Sequence, residues 1–103
     1  MRHVGATDKN HCEISNWLRK LGFTVQSLHQ TGGGVPDILV GIKGFNFLVE
    51  IKDGTLPPSK RELRESQQKW HENWRGQVVV LSTIDETLEW ANSIKNRIDK
   101  WLG

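Results

Sequence analysis

Apolar residues first recur at helical spacing, where Ile14, Trp17, Leu18 and Leu21 line one side of a segment that Gly22 closes. Thr7 or Asp8 is placed to cap that helix. The pattern then switches to alternation: Phe23, Val25 and Ser27 oppose Thr24, Gln26 and Leu28, which predicts a strand over 23–28. Gly32-Gly33-Gly34 reads as a loop. Pro36 holds Val35 extended, so a second strand can run from Asp37 to Gly41. Lys43-Gly44 suits a tight turn, and Phe45 to Lys52 returns as the partner strand. After a loop-like stretch from Asp53 to Ser59, Ser59-Lys60-Arg61-Glu62 carries a capping-box pattern. A helix follows to about Trp74 and stops at Gly76. Gln77 to Leu81 is a valine-rich segment that reads as a buried strand, and Thr83 with Glu86 caps a last helix running to near Trp101. The order helix, three strands, helix, strand, helix predicts a single α/β domain over 1–103.

Two helices carry more than a plain core stripe. On the second, Leu63, Trp70 and Trp74 share a direction, with Gln67 on the same stripe and Gln68 pointing away. A glutamine in an apolar stripe needs a partner, either backbone or a functional group. On the last, Leu88, Ala91, Ile98 and Leu102 make a core stripe, while Trp90 and Trp101 lie beyond one edge with Ile94 between them. The apolar arc reaches about 160°, wider than a one-sided helix needs. Tryptophan is favoured at interface centres, so this margin predicts a homodimer; the alternative is that both rings cover the protein's own sheet.

Composition narrows the class. The chain has 103 residues, 36% apolar and 25% charged, an ordinary globular balance for one domain. No apolar run approaches the roughly 18 residues of a membrane span, and Met1 to Glu13 has no hydrophobic signal region. Cys12 is the sole cysteine, which excludes a disulfide framework and a cysteine-based zinc site. These features fit a cytoplasmic protein. A net charge of +2 permits nucleic acid as a partner without requiring it. Five tryptophans and no tyrosine suggest that most of the tryptophans fill the core. His3, His11, His29 and His71 have no metal-ligand spacing and are expected at the surface or boundary.

The chemistry lies in the hairpin. With Lys43-Gly44 as the turn, Ile42 faces Phe45, Leu39 faces Leu48, and Asp37 falls opposite Glu50. Side chains alternate along a strand, so Glu50 and Lys52 share a face and Asp37 joins them, while Phe45, Phe47, Val49 and Ile51 point to a core. Two close carboxylates repel unless a cation lies between them. A hard divalent ion prefers such oxygens and leaves positions for water and phosphate. An acid–any–lysine triplet is common by chance, and Asp37 with Lys52 could instead be a cross-strand ion pair; the register of Asp37 against Glu50 favours the site. Glu13 sits at the edge of the first helix's apolar arc, where an ordinary boundary glutamate is also expected. The glycine run before Asp37 would let a phosphate backbone approach, although a flexible connector is its commoner meaning.

Together these residues resemble the VRR-NUC branch of the PD-(D/E)XK nucleases, in particular the stand-alone proteins of phages and bacteria. The resemblance runs through Asn10, Glu13-Ile14, Gly34-Val35-Pro36-Asp37-Ile38-Leu39-Val40-Gly41, Leu48-Val49-Glu50-Ile51-Lys52-Asp53-Gly54, Pro57-Pro58-Ser59-Lys60, Leu63, Gln67 and Trp74-Arg75-Gly76. It implies a restriction-endonuclease-like core with a mixed sheet between helices. It implies metal ligation by Asp37, Glu50 and the Ile51 carbonyl, Lys52 as the catalytic lysine, and Glu13 and Gln67 in support. It further implies Mg²⁺ or Mn²⁺ dependence and DNA as substrate, with Gly33, Gly34, Lys60, Arg61 and Arg64 the candidate DNA-binding residues. Likeness to Holliday-junction resolvases implies branched DNA and a dimer. One position departs from the pattern: after Leu63 the family usually has a threonine or serine cap, and here stands Arg64, leaving Ser59 as another helix start. The competing readings are a DNA-binding module that kept the nuclease fold without its chemistry, and a structural protein.

Overall fold

The computed structural model describes residues 6–103, with side chains from Lys9 onward. His3 lies outside the described residues. Helix α1 covers Ala6–Lys20, so Thr7 and Asp8 are inside it rather than at its cap. It ends as the sequence predicts. Gly22 takes φ +99°, the Phe23 N–H reaches the Leu18 carbonyl at 3.0 Å and the Gly22 N–H reaches that of Arg19 at 3.1 Å. This is a Schellman closure, which favours a residue without a Cβ at the left-handed position.

Strands β1 (Thr24–Ser27), β2 (Ile38–Ile42), β3 (Phe45–Ile51) and β4 (Val78–Leu81) form one sheet in the order β1-β2-β3-β4. The first two pairings are antiparallel and β3·β4 is parallel, so the sheet is mixed. The β2–β3 turn has Lys43 at φ 49° and Gly44 at φ 84°, the two positive values that suit the twist of a two-residue hairpin. The register is the expected one, Ile42 against Phe45 and Leu39 against Leu48. Strand β4 is an edge strand: Leu81 is buried, but Val80 is exposed, contrary to the expectation of a wholly buried segment.

Helix α2 (Glu65–Asn73) begins later than Ser59 suggested. Ser59 belongs to a 3₁₀ turn over Pro58–Lys60, and Arg64 takes the cap position. Arg64 has no acceptor to offer, so only half of a capping box forms: its N–H donates to Gln67 Oε1 at 2.8 Å. Helix α3 (Ile84–Leu102) is capped by Thr83, whose Oγ1 accepts from the Glu86 N–H at 3.1 Å. The Glu86 carboxylate returns to the Ser82 N–H, one residue earlier than a standard box.

The core joins Ile14 and Leu18 of α1, Ala91, Ile94 and Ile98 of α3, and Val40, Phe47, Val49 and Ile51 of the sheet. The stripe on α3 is rotated from the expected one. Its buried residues are Thr87, Ala91, Ile94 and Ile98, whereas Leu102 is exposed. Thr87 can occupy a core position because its hydroxyl donates to the Thr83 carbonyl at 2.8 Å. Trp90 is half-buried, stacks on Phe23 and meets Phe47 edge-on, so it covers part of the protein's own core. The expectation of mainly core tryptophans also fails: Trp17, Trp74 and Trp101 are exposed, because aliphatic side chains already fill the space between α1, α3 and the sheet. No helix of the described residues is long and apolar enough to cross a membrane.

Candidate active site

The hairpin brings the acids together. Ile38 pairs with Val49, so one step outward along the same register Asp37 meets Glu50. Asp37 is anchored there by the Ile51 N–H, which donates to Oδ2 at 2.7 Å. Glu50 points away from Val49 and Ile51, which face the core, yet it is only 1% exposed. What covers it is α2. Gln67 is buried and its Nε2 donates to Glu50 Oε1 at 2.5 Å.

Gln67 also takes the other side of the site in hand. Its Oε1 accepts from Lys52 Nζ at 2.7 Å and from the Arg64 N–H at 2.8 Å. The lysine is thereby held with Nζ 3.7 Å from Glu50 Oε1. One amide thus fixes a carboxylate, an ammonium and the start of its own helix, which accounts for a glutamine in an apolar stripe. Gln68, its neighbour, is exposed and bonds only to the Leu63 carbonyl.

Burial pushes the Glu50 carboxyl up from 4.5 to about 7, with the Asp37 charge adding to the rise and the Lys52 charge opposing it. Its second oxygen, Oε2, is buried and has no hydrogen-bond partner among the described residues. An orphaned carboxylate oxygen beside a second carboxylate is the arrangement a divalent cation would satisfy. No group of three or more His, Cys, Asp or Glu side chains is gathered for a metal among the described residues. The side-chain donors that fit are therefore two carboxylates, a sparse set suited to an ion that keeps several waters.

The other candidate residues divide. Glu13 is exposed and lines a separate cleft with Asp53 and Thr55. Lys60 and Arg64 are exposed. Arg61 spends its guanidinium on the loop, donating to the Leu56 carbonyl at 2.6 Å and to that of Gly54 at 3.0 Å. Gly34 has a structural reason to lack a side chain: at φ +83° a Cβ would collide with the Ser66 main-chain oxygen, so the loop lies directly on α2. Gly33 keeps open space and lines a cleft beside that helix.

Two residues of α1 reach this region, His11 beside Asp37 and Asn10 at the Lys52 main chain. His11 Nε2 lies 3.6 Å from Asp37 Oδ2. It precedes Ile14 by three and Leu18 by seven, so the helical stripe contained the signal. Asn10 Nδ2 donates to the Lys52 carbonyl at 2.5 Å and the Ser82 carbonyl at 3.0 Å, tying α1 to the ends of β3 and β4. His71 Nε2, one helical turn beyond Gln67, is buried without a partner among the described residues, and burial followed by the Lys52 charge keeps the ring below its ordinary pKa.

No family model matches the chain, nor does any curated protein sequence. A solved structure described as a VRR_NUC domain superposes on 82% of this chain and 91% of its own, with TM-score 0.64 and 23% identity. The chain has the VRR_NUC fold. The likeness agrees with the mixed four-stranded sheet and the helices around it. Within the VRR_NUC fold of this chain, Asp37, Glu50 and Lys52 form one cluster under α2.

Proposed function

We propose that the protein is a Mg²⁺- or Mn²⁺-dependent deoxyribonuclease that hydrolyses phosphodiester bonds at Asp37, Glu50 and Lys52. The observation that carries this reading is the buried Glu50 carboxylate, with one free oxygen beside Asp37 and a lysine fixed at 3.7 Å. The nuclease-type fold supports it. Asp37, Glu50 and the Ile51 carbonyl would hold the cation. When bound, it supplies a lowered water pKa and countercharge for the phosphate. Lys52 orients the attacking water or neutralises charge as it develops on the phosphate oxygens. Gln67 sets where that ammonium lies. Lys60 and Arg64 are available to the DNA backbone, and Glu13 is a supporting residue only if substrate draws it toward the acids.

Plasmid, linear and four-way-junction DNA, each incubated with Mg²⁺, Mn²⁺ or EDTA, test the reading. Metal-dependent cleavage is expected, strongest on the junction. Shifted bands without cleavage would instead support a catalytically inactive DNA-binding module with the same fold. The glutamines give a sharper check. Gln67→Ala is expected to lower cleavage about 10–100-fold, as loss of an orienting partner does elsewhere, while Gln68→Ala keeps wild-type activity. Equal rates for the two variants would mean that Gln67 does not position the site.

A homodimer belongs to the same reading, and Trp101 is the more exposed of the two marginal tryptophans on α3. Its ring is 75% exposed and meets Phe45 edge-on, at the rim of a cleft with Ile98. A twofold dimer would direct two sites at paired strands. Sedimentation equilibrium at micromolar concentration is expected to give twice the 11.8 kDa chain mass, and Trp101→Glu the monomer. A wild-type monomer that cuts junctions would end the idea.

A further inference from the structure

The described surface holds a second feature that the hydrolytic chemistry does not use. A cleft of about 360 Å³ opens between the glycine loop and α2, lined by Gly33, Ser66, Lys69, Trp70, Asn73 and Trp74. Both walls are chain neighbours of the site. Gly33 lies four residues before Asp37, and Ser66 precedes Gln67. The walls are clamped together where Gly34 meets the Ser66 backbone.

The cleft contains an exposed aromatic plate. Trp74 is 43% exposed although tryptophan is usually well covered. Its ring stacks on Trp70 with centroids 4.8 Å apart and planes 20° apart. Its Nε1 edge lies against Gly76, where a Cβ would come within 2.8 Å. The indole is thus held in place before any ligand arrives. Around it stand polar groups suited to a nucleotide. Among the described residues the Lys69 ammonium is restrained only by an exposed pair with Glu65 at 3.3 Å, a contact too weak to withhold it from a phosphate. Asn73 donates to the Lys69 carbonyl, leaving its own Oδ1 as an acceptor.

Position fixes the occupant. Gln67, Trp70 and Trp74 follow one stripe of the helix, and Trp74 lies about 10 Å along the axis from Gln67 at 1.5 Å per residue. That is about three base steps of duplex DNA at 3.4 Å each. A paired base cannot present its face to an indole, whereas an unstacked one can. We propose that this cleft is a subsite for an unpaired nucleotide a few positions from the scissile phosphate, its base stacking on Trp74 and its phosphate meeting Lys69. The subsite rests on the nuclease reading and deepens it. It makes local loss of base pairing, rather than sequence, the feature the protein selects.

Two labelled duplexes test it in EDTA, so that binding is read without cleavage. One is fully paired, and the other carries a single bulged 2-aminopurine. Fluorescence anisotropy is expected to show about tenfold or stronger preference for the bulge, the range that one base stack supplies. Emission of the 2-aminopurine is expected to fall on binding. Trp74→Ala removes the preference and the quenching, Trp74→Phe restores most of both, and Trp17→Ala, on the far helix, keeps them. Cleavage of plasmid DNA with Mg²⁺ or Mn²⁺ is measured alongside. DNA cleaved but bound with equal affinity, bulged or paired, or a preference that survives Trp74→Ala, overturns the subsite and leaves the nuclease reading standing. Unchanged 2-aminopurine emission on wild-type binding overturns it as well, whatever the folding of the alanine variant. Absence of both DNA binding and cleavage overturns the nuclease reading, and the subsite with it.

Discussion

Asp37→Asn and Glu50→Gln are each expected to abolish DNA cleavage while leaving the protein folded. Each change removes one negative charge and little else. An amide oxygen at position 37 can still accept from the Ile51 N–H, and one at position 50 can still accept from Gln67, so the hairpin and α2 keep their ties. What is lost is the pairing of two charges that would make the place attractive to a cation. Glu50→Gln has a second, independent signature. In the protein without metal, Glu50 is held up to about 7 against an ordinary 4.5, chiefly by burial. Between those values the native state retains a proton that the unfolded chain releases. Stability from this group is therefore full below 4.5, declines as pH rises through the window, and is lost above about 7. Thermal unfolding in EDTA is expected to show a Tm several degrees lower at pH 8 than at pH 5, and Glu50→Gln is expected to flatten that slope. Wild-type rates from Asp37→Asn, or an identical pH slope in Glu50→Gln, would remove the acids from the site.

Lys52→Ala is expected to lower the cleavage rate on the order of a hundredfold or more, the loss typical of a positioned charge-stabilising donor. The ammonium is not a free surface charge. It is mostly buried, anchored at 2.7 Å to Gln67 and 3.7 Å from Glu50, so nothing else among the described residues takes its place. Lys52→Arg is expected to recover little, because a planar fork cannot hold the single point that Gln67 and Glu50 define. DNA affinity measured in EDTA should change far less than the rate. A matching loss of affinity and rate would instead mark Lys52 as a phosphate contact alone.

The hairpin was legible because its two rules are local. A two-residue turn fixes the register, and alternation then decides every face from Ile38 to Ile51. Gln67 was legible for a similar reason, as a polar residue on an apolar stripe that had to find partners. Burial at the helix margins was not. Trp17 and Trp90 sit in equally apolar surroundings of the sequence, but Trp90 stacks on Phe23 while Trp17 stays outside under the Lys20 ammonium, 5.0 Å away. Which margin is covered depends on packing against the sheet: the buried stripe of α3 takes in Thr87, whose hydroxyl is satisfied within the helix, and leaves Leu102 outside. Start positions depended on tertiary partners too. The capping pattern at Ser59 matched the local rule, yet α2 begins where the Arg64 N–H meets a side chain already engaged with the active site.

The contact between Gly34 and Ser66 divides the freedom of two positions unequally. Only the main chain of Ser66 is used there, so many residues fit at 66 without disturbing the fit. Position 34 tolerates none but glycine, since any other residue would wedge the loop off the helix. Descendants of this protein can therefore retune the chemistry of one wall while its spacing from the other stays constant. A gap ruled by backbone keeps its width as the side chains around it drift.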